Sequence, residues 1–245
     1  MSYQLTNKVA IVTGGASGIG RAIVEAFIRA GARGVMVADV RTPDDDLLQR
    51  TGVAFTETDI SSGDDVRQMV SETVERFGRV DILVNNAGIA PIVRWPDVTE
   101  ENWRHVLDVN LNGAMLCAMN VLPHMRRQKN GRIINISSAG AFLGSITAHP
   151  AYGVAKAGLI ALTKSLAREC AADGILVNTV SPGSVDTPIL ESFGAEEAEF
   201  YADRALLKRH GKPAELADAV LFLVSDASTY ITGSTLHVNG GSLLI

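Results

Sequence analysis

Residues 9–20 read Val9-Ala10-Ile11-Val12-Thr13-Gly14-Gly15-Ala16-Ser17-Gly18-Ile19-Gly20. The first five form an apolar run that stops at glycines, which predicts a short buried strand. From Gly18 to Ala30, Ile19, Ile23, Ala26, Phe27 and Ala30 fall on one face at helical spacing, so a helix follows at once. The glycines between them let the backbone turn sharply and approach a ligand closely. Gly20 lets the helix pack tightly on the sheet. The helix N-terminus then offers free N–H groups and a positive dipole end to a pyrophosphate. The spacing is Gly-x-x-x-Gly-x-Gly rather than Gly-x-Gly-x-x-Gly, so a tight strand–helix junction with no ligand is the competing reading of the turn alone.

The same alternation continues outward. Strands are predicted over 34–39, 80–84, 132–136, 175–180 and 235–238, with a weaker one over 53–58, their apolarity continuous rather than alternating. Between them, Val66, Met69, Val70, Val74 and Phe77 mark a helix over 64–77. Thr99 can cap a long helix to about Arg127, with Glu100 and Glu101 in its first turn and Pro123 bending its last turns. A helix over 151–173 is closed by Gly174, and Pro213 starts another to Ser225. Strands separated by helices mean an α/β fold: a doubly wound, Rossmann-type parallel sheet with helices on both faces. No Pro-, Gly- or Ser-rich linker and no repeat divides the chain, so one domain over 1–245 is expected. Residues 184–212 lack a clean period and read as a mobile lid.

Composition narrows the function. Among 245 residues, 22 Lys+Arg against 27 Asp+Glu give a net charge of -5. No basic excess exists to neutralise phosphates, which argues against a nucleic-acid or membrane-surface binder. Cys117 and Cys170 are too few for a disulfide framework, and the five scattered histidines form no metal site. Residues 1–8 are polar, and no run of about 18 apolar residues is present to span a bilayer. A soluble, cytoplasmic protein without bound metal is the expectation.

Several polar residues fall just after strands, where open parallel sheets bind ligands. Asp39 ends the second strand, nineteen residues after Gly20. Its carboxylate can accept from both hydroxyls of an adenosine ribose and would repel a 2′-phosphate, favouring NAD over NADP. Arg41 nearby can soften that discrimination, and a capping or turn role is the alternative for Asp39. Asp59-Ile60 follows the third strand, Asn85-Asn86-Ala87-Gly88 the fourth, Ser137-Ser138 the fifth, and Pro182-Gly183 the sixth, with Thr187 soon after. Tyr152 and Lys156, four apart on a helix, point to one face. A tyrosine needs its pKa lowered by roughly 3 units, about 4 kcal/mol, to act as a base near neutrality. An ammonium and an oxidised nicotinamide close by can supply it. Taken alone, the pair also reads as a packed ring beside a solvated amine. A hydroxyl at Ser137 or Ser138 can polarise a substrate oxygen. Asn110, a poor helix former, lies within the long helix and can disturb its ladder and hold a water; an exposed helical polar residue is the alternative.

In order along nearly the whole chain, TGGASGIG at 13–20, Asp39, Asp59, NNAG at 85–88, Asn110, Ser138, Tyr152 with Lys156, and PG at 182–183 resemble the short-chain dehydrogenase/reductase family. The chain is similar to its NAD-preferring members of this size. The resemblance implies strand order 3-2-1-4-5-6-7 and a tetramer built through the two long helices, where Ala114, Ala118, Gly153, Ala157, Gly158 and Ala161 permit close contact. It implies that Tyr152 exchanges a proton with the substrate oxygen, Ser138 orients that oxygen, Lys156 binds the nicotinamide ribose, and Asn110 holds a relay water. It also implies a coenzyme site of Gly14, Ser17, Gly18, Ile19, Gly20, Asp39, Asp59, Ile60, Asn86, Gly88, Tyr152, Lys156, Pro182, Gly183, Val185 and Thr187. Ser138 and Tyr152 are fourteen apart against a more usual thirteen, which suggests a reshaped loop through Gly144 and His149. The expected reaction is hydride transfer between NAD and a secondary alcohol or ketone. A ketoacyl-thioester reductase or a sugar or polyol dehydrogenase is the runner-up, and a non-catalytic NAD-binding regulator the remote alternative.

Overall fold

A computed structural model describes residues 3–245. The opening strand, turn and helix form β1 (Val9–Thr13) and α1 (Gly18–Arg29). They are followed by β2 (Gly34–Asp39), α2 (Asp45–Leu48), β3 (Val53–Glu57), α3 (Gly63–Phe77) and β4 (Ile82–Asn85). The second half contains α4 (Glu100–Leu107), α5 (Gly113–Gln128), β5 (Gly131–Ile136), α6 (Gly140–Leu143), α7 (Pro150–Cys170) and β6 (Ile175–Pro182). It closes with α8 (Pro188–Glu191), α9 (Ala195–Arg204), α10 (Pro213–Val224) and β7 (Thr235–Val238). All seven strands join one parallel sheet in the order β3-β2-β1-β4-β5-β6-β7. The reversal of order between β1 and β4 opens a crevice at the strands' C-terminal ends, where such sheets place ligands.

The strands are apolar throughout because both faces are covered. Ala10, Val12, Val35, Val37 and Val84 meet α1 and α10 on one face; Val9, Ile11, Met36, Leu83 and Ile133 meet α3, α5 and α7 on the other. The second face also carries a buried polar ladder. Asn85 Nδ2 donates to Asn135 Oδ1 at 2.9 Å, Asn135 Nδ2 to Thr163 Oγ1 at 2.8 Å, and Thr163 meets Thr179 at 2.8 Å. Thr163 lies two turns beyond Lys156 on α7, so the ladder fixes where that helix sits over β4–β6.

Four expectations change. Strand β4 starts at Ile82, two residues later than expected; the Asp81 backbone still bonds Val9 and Arg132, while its carboxylate holds Arg79 and the Val9 N–H. Strand β6 runs on to Pro182; β5 pairs with it only to Val180, so the missing proline N–H costs no bond to that neighbour. The segment 184–212 contains α8 and α9, whose short lengths hid their period. The long helix after Thr99 holds a π-helical turn, Asp108–Asn112, between α4 and α5. That whole run, Glu100–Gln128, is long and apolar enough to cross a membrane by length and composition. Here Cys117, Ala118, Val121 and Met125 pack into the core beside β4 and β5 instead.

Candidate active site

A cleft of about 580 Å³ lies over the C-terminal ends of the strands. Its walls include Gly14, Ser17, Gly18, Ile19, Asp39, Asp59, Ile60, Asn86, Gly88, Asn110, Ser138, Tyr152, Lys156, Pro182, Gly183, Val185 and Thr187. Of the residues that the resemblance assigned to catalysis or coenzyme binding, Gly20 stays off the cleft wall. A Cβ there would sit 2.0 Å from the Gly14 carbonyl oxygen, so its role is to let α1 close onto the turn.

The nucleotide end is built from β1–β3. Gly14 takes φ +64, a conformation that favours glycine. Thr13 Oγ1 accepts from the Asn86 and Ala87 N–H groups, and Asn86 Nδ2 donates to the carbonyls of Thr13 and Gly14, each at 3.0 Å. The side chain of Asn86 is thus spent on tying the β4 loop to the glycine turn, and what it presents to the cleft is a held backbone. Ser17 precedes α1 without capping it, which leaves the first N–H groups of that helix free for a phosphate. Asp39 is buried; Oδ2 accepts from the Ala16 N–H at 3.0 Å and Oδ1 from the Arg41 N–H at 3.1 Å. Arg41 Nη2 reaches back to Ser17 Oγ at 3.1 Å. Asp59 Oδ1 accepts from the Ser61 N–H and hydroxyl, closing the turn into α3, and Ile60 packs under Gly113. The glycine turn, open helix end and buried carboxylate fit a dinucleotide.

The other end is built from β5, α6 and α7. Lys156 is buried, and its Nζ donates to the Ile136 carbonyl at 3.0 Å and lies 5.6 Å from the centre of the Tyr152 ring. Ser137, the rival hydroxyl, is buried and donates to the Lys156 carbonyl at 2.8 Å, so it holds α7 to β5. Ser138 accepts from the Gly140 N–H at 3.0 Å and faces the cleft. Asn110 sits in the π-helical turn. Its Nδ2 donates to the carbonyls of Val106 and Ile89 at 3.0 and 2.9 Å, and its Oδ1 accepts from the Ile89 N–H at 3.2 Å. The amide therefore replaces part of the helix ladder and clamps the loop after β4; π turns of this kind recur at functional sites. It is buried, not an exposed polar residue.

Burial dominates the electrostatics of the pair in the chain by itself. Burial pushes the Tyr152 phenol up, against the hydrogen bond of the Ser138 hydroxyl, with the neighbouring Tyr201 adding a smaller upward push. Burial also lowers the Lys156 amine to about 8. Desolvation is the largest influence on each group in the chain by itself; the positive charge of an oxidised nicotinamide would come only with the coenzyme.

Sequence reasoning assigned no role to four further residues. His149 is buried and caps α7: Nδ1 accepts from the Ala151 N–H at 3.0 Å while Nε2 meets Asn102 Oδ1 at 2.9 Å. It does not line the cleft. The histidine directly before Pro150, at a helix start, was the readable signal. Tyr201 on α9 donates to Thr147 Oγ1 at 3.0 Å, joining the 184–212 segment to the loop before Tyr152. Arg204 and His105 also line the cleft, with no motif to announce them.

The profile of a family described as Enoyl-(Acyl carrier protein) reductase matches residues 14–242. A 3-oxoacyl-(acyl-carrier-protein) reductase from Thermotoga maritima is 36% identical over 247 residues, covering 98% of this chain and 100% of that one. An L-fucose dehydrogenase from Bos taurus is 40% identical over 253 residues, covering 100% and 92%. A solved short-chain type dehydrogenase/reductase from Mycobacterium marinum superposes with a TM-score of 0.93 at 32% identity, covering 100% of this chain and 98% of that one.

Proposed function

The chain belongs to the short-chain dehydrogenase/reductase family of oxidoreductases, and from that premise we propose that it interconverts a secondary alcohol and a ketone with NAD(H), Tyr152 serving as the acid/base. The observation that carries this reading is the meeting of Tyr152, Lys156, Ser138 and Asn110 with Asp39 and the glycine turn in one cleft. A regulator that only sensed coenzyme would need none of the first four.

Gly14, Gly18, Ile19 and Ser17 hold the pyrophosphate, and Asp39 the adenosine ribose, with Asp59 and Ile60 beside the adenine. Asn86 and Gly88 carry the inner wall; Pro182, Gly183, Val185 and Thr187 hold the nicotinamide end. When bound, the oxidised coenzyme supplies the hydride acceptor and a positive charge. Ser138 donates to the substrate oxygen and fixes its position. Tyr152 takes the hydroxyl proton during oxidation and returns it during reduction. Lys156, with its amine at about 8, stays mostly protonated near neutrality and favours the phenolate. Asn110 holds the Ile89 loop and the water through which that proton reaches solvent. Tyr152→Phe is expected to remove nearly all turnover while NAD still binds in calorimetry; near-native turnover would refute the role.

NAD is favoured over NADP because the buried Asp39 carboxylate meets the position of a 2′-phosphate, and Arg41 is engaged with Ser17 beside it. The ratio of kcat/KM for the two coenzymes tests this, and a clear NADP preference rejects it. A ketoacyl thioester or a sugar is the alternative substrate class, favoured by the names of the relatives. Screening secondary alcohols, hydroxyacyl thioesters and sugars for reduced-coenzyme absorbance separates these. The remaining parts of the reading are a single cytoplasmic domain, residues 184–212 as a mobile lid, and a homotetramer through α5 and α7, whose outer faces expose Met119 and Val154. Light scattering reads the assembly.

A further inference from the structure

The cleft is unevenly charged. The carboxylates among its lining residues are Asp39 and Asp59, which belong to the β2–β3 half of the sheet. The half over β5 and β6, where Ser138 and Tyr152 stand, carries no lining carboxylate; it carries Arg204 instead. Arg204 is the last residue of α9, three after Tyr201, so the two share a helix face. Tyr201 is anchored to Thr147 on the catalytic side. The acidic residues of α9, Glu196, Glu197, Glu199 and Asp203, do not line the cleft, so Arg204, exposed at the rim, is the one charged residue this helix brings to its wall.

The neighbouring cations have partners: Lys208 lies 4.0 Å from Asp203, and Arg209 lies 2.7 Å from Glu215. Arg204 forms no ion pair among the described residues. Its guanidinium is held 5.5 Å from the centre of the Phe200 ring, which orients the group while leaving its N–H donors free. A planar cationic fork at the rim of a pocket half that holds Lys156 deeper inside and no carboxylate matches an oxyanion.

Resting on the oxidoreductase reading above, we propose that Arg204 determines specificity by binding an anionic group, carboxylate or phosphate, carried by the substrate away from its reacting carbon. The substrate class is then a hydroxy or oxo acid, or a phosphorylated alcohol, rather than a neutral alcohol. A matched series of short secondary alcohols tests it, identical except for a methyl ester, a carboxylate or a phosphate monoester at the far end. Wild type is expected to favour one of the anions over the ester in kcat/KM, and the favoured anion identifies the source. In Arg204→Gln the anion-to-ester ratio should fall about tenfold or more, with Arg204→Lys recovering part of it. The idea is overturned if wild type ignores the end group, if Arg204→Gln keeps the preference, or if that variant weakens NAD binding in calorimetry with the preference intact. Oxidation of all three alcohols alike sinks this inference alone; oxidation of none, while NAD still binds, sinks the secondary-alcohol reading as well.

Discussion

Two buried groups on α7 show how one helix handles charge differently at neighbouring positions. Lys156 keeps a carbonyl partner and a lowered amine; His149, which caps the same helix, must stay neutral to do so. Its Nδ1 accepts from the Ala151 N–H, so a proton on that atom would break the cap. Burial holds its pKa below the ordinary value near 6.5. The sign follows from linkage: the folded value is depressed, so the stabilisation is complete above about pH 6.5 and is lost as pH falls through the folded value. His149→Asn keeps a capping side chain without a proton to gain. Wild type should therefore lose more stability than His149→Asn on going from about pH 7.5 to 5.5, read as urea midpoints. Equal losses would mean that His149 does not titrate in this range.

Among the elements, the π-helical turn between α4 and α5 has the clearest functional consequence. An extra residue in the turn lets Asn110 face the β4 loop, and its amide compensates three backbone groups that the distorted ladder and the loop leave unpaired. Asn110→Ala strands those groups in a buried place. The expected cost is about 1–3 kcal/mol, which for a chain of this size lowers Tm by several degrees. Turnover should fall further than stability accounts for, because the Ile89 loop and Gly88 form the cleft wall beside Lys156. Scanning calorimetry alongside steady-state rates measures both. An unchanged Tm would mean that water satisfies the same groups.

Across the whole molecule, the proposed lid over 184–212 stands against the body of the sheet. Few long-range ties join α9 to the body, and the Tyr201–Thr147 hydrogen bond is one that reaches the catalytic side. Phe193 and Phe200 flank the Tyr201 ring at 6.2 and 5.4 Å, so Tyr201→Phe keeps the apolar packing and removes the bond. Hydrogen exchange of α9 should quicken, and KM should rise more than kcat falls, since closing the lid would then draw on substrate binding. Unaltered exchange would assign the tyrosine to packing alone.

The fold was legible because its signals are local. A strand, a glycine turn and a helix at 9–29 require only nearest neighbours, and continuous apolarity in six further segments already means a sheet covered on both faces. The positions of Asp39, Asn86, Ser138, Tyr152 and Lys156 could be read for the same reason: each is counted from a strand end or a helical repeat. What tertiary structure alone decided depends on approach between distant segments. It set the π turn that aims Asn110, the division of labour between Ser137 and Ser138, the capping histidine, and the placement of Arg204 rather than the α9 glutamates on the cleft rim. Sequence can bring a lysine within one turn of a tyrosine, but how far both are withdrawn from water is fixed only when β5, α6 and α9 close around them.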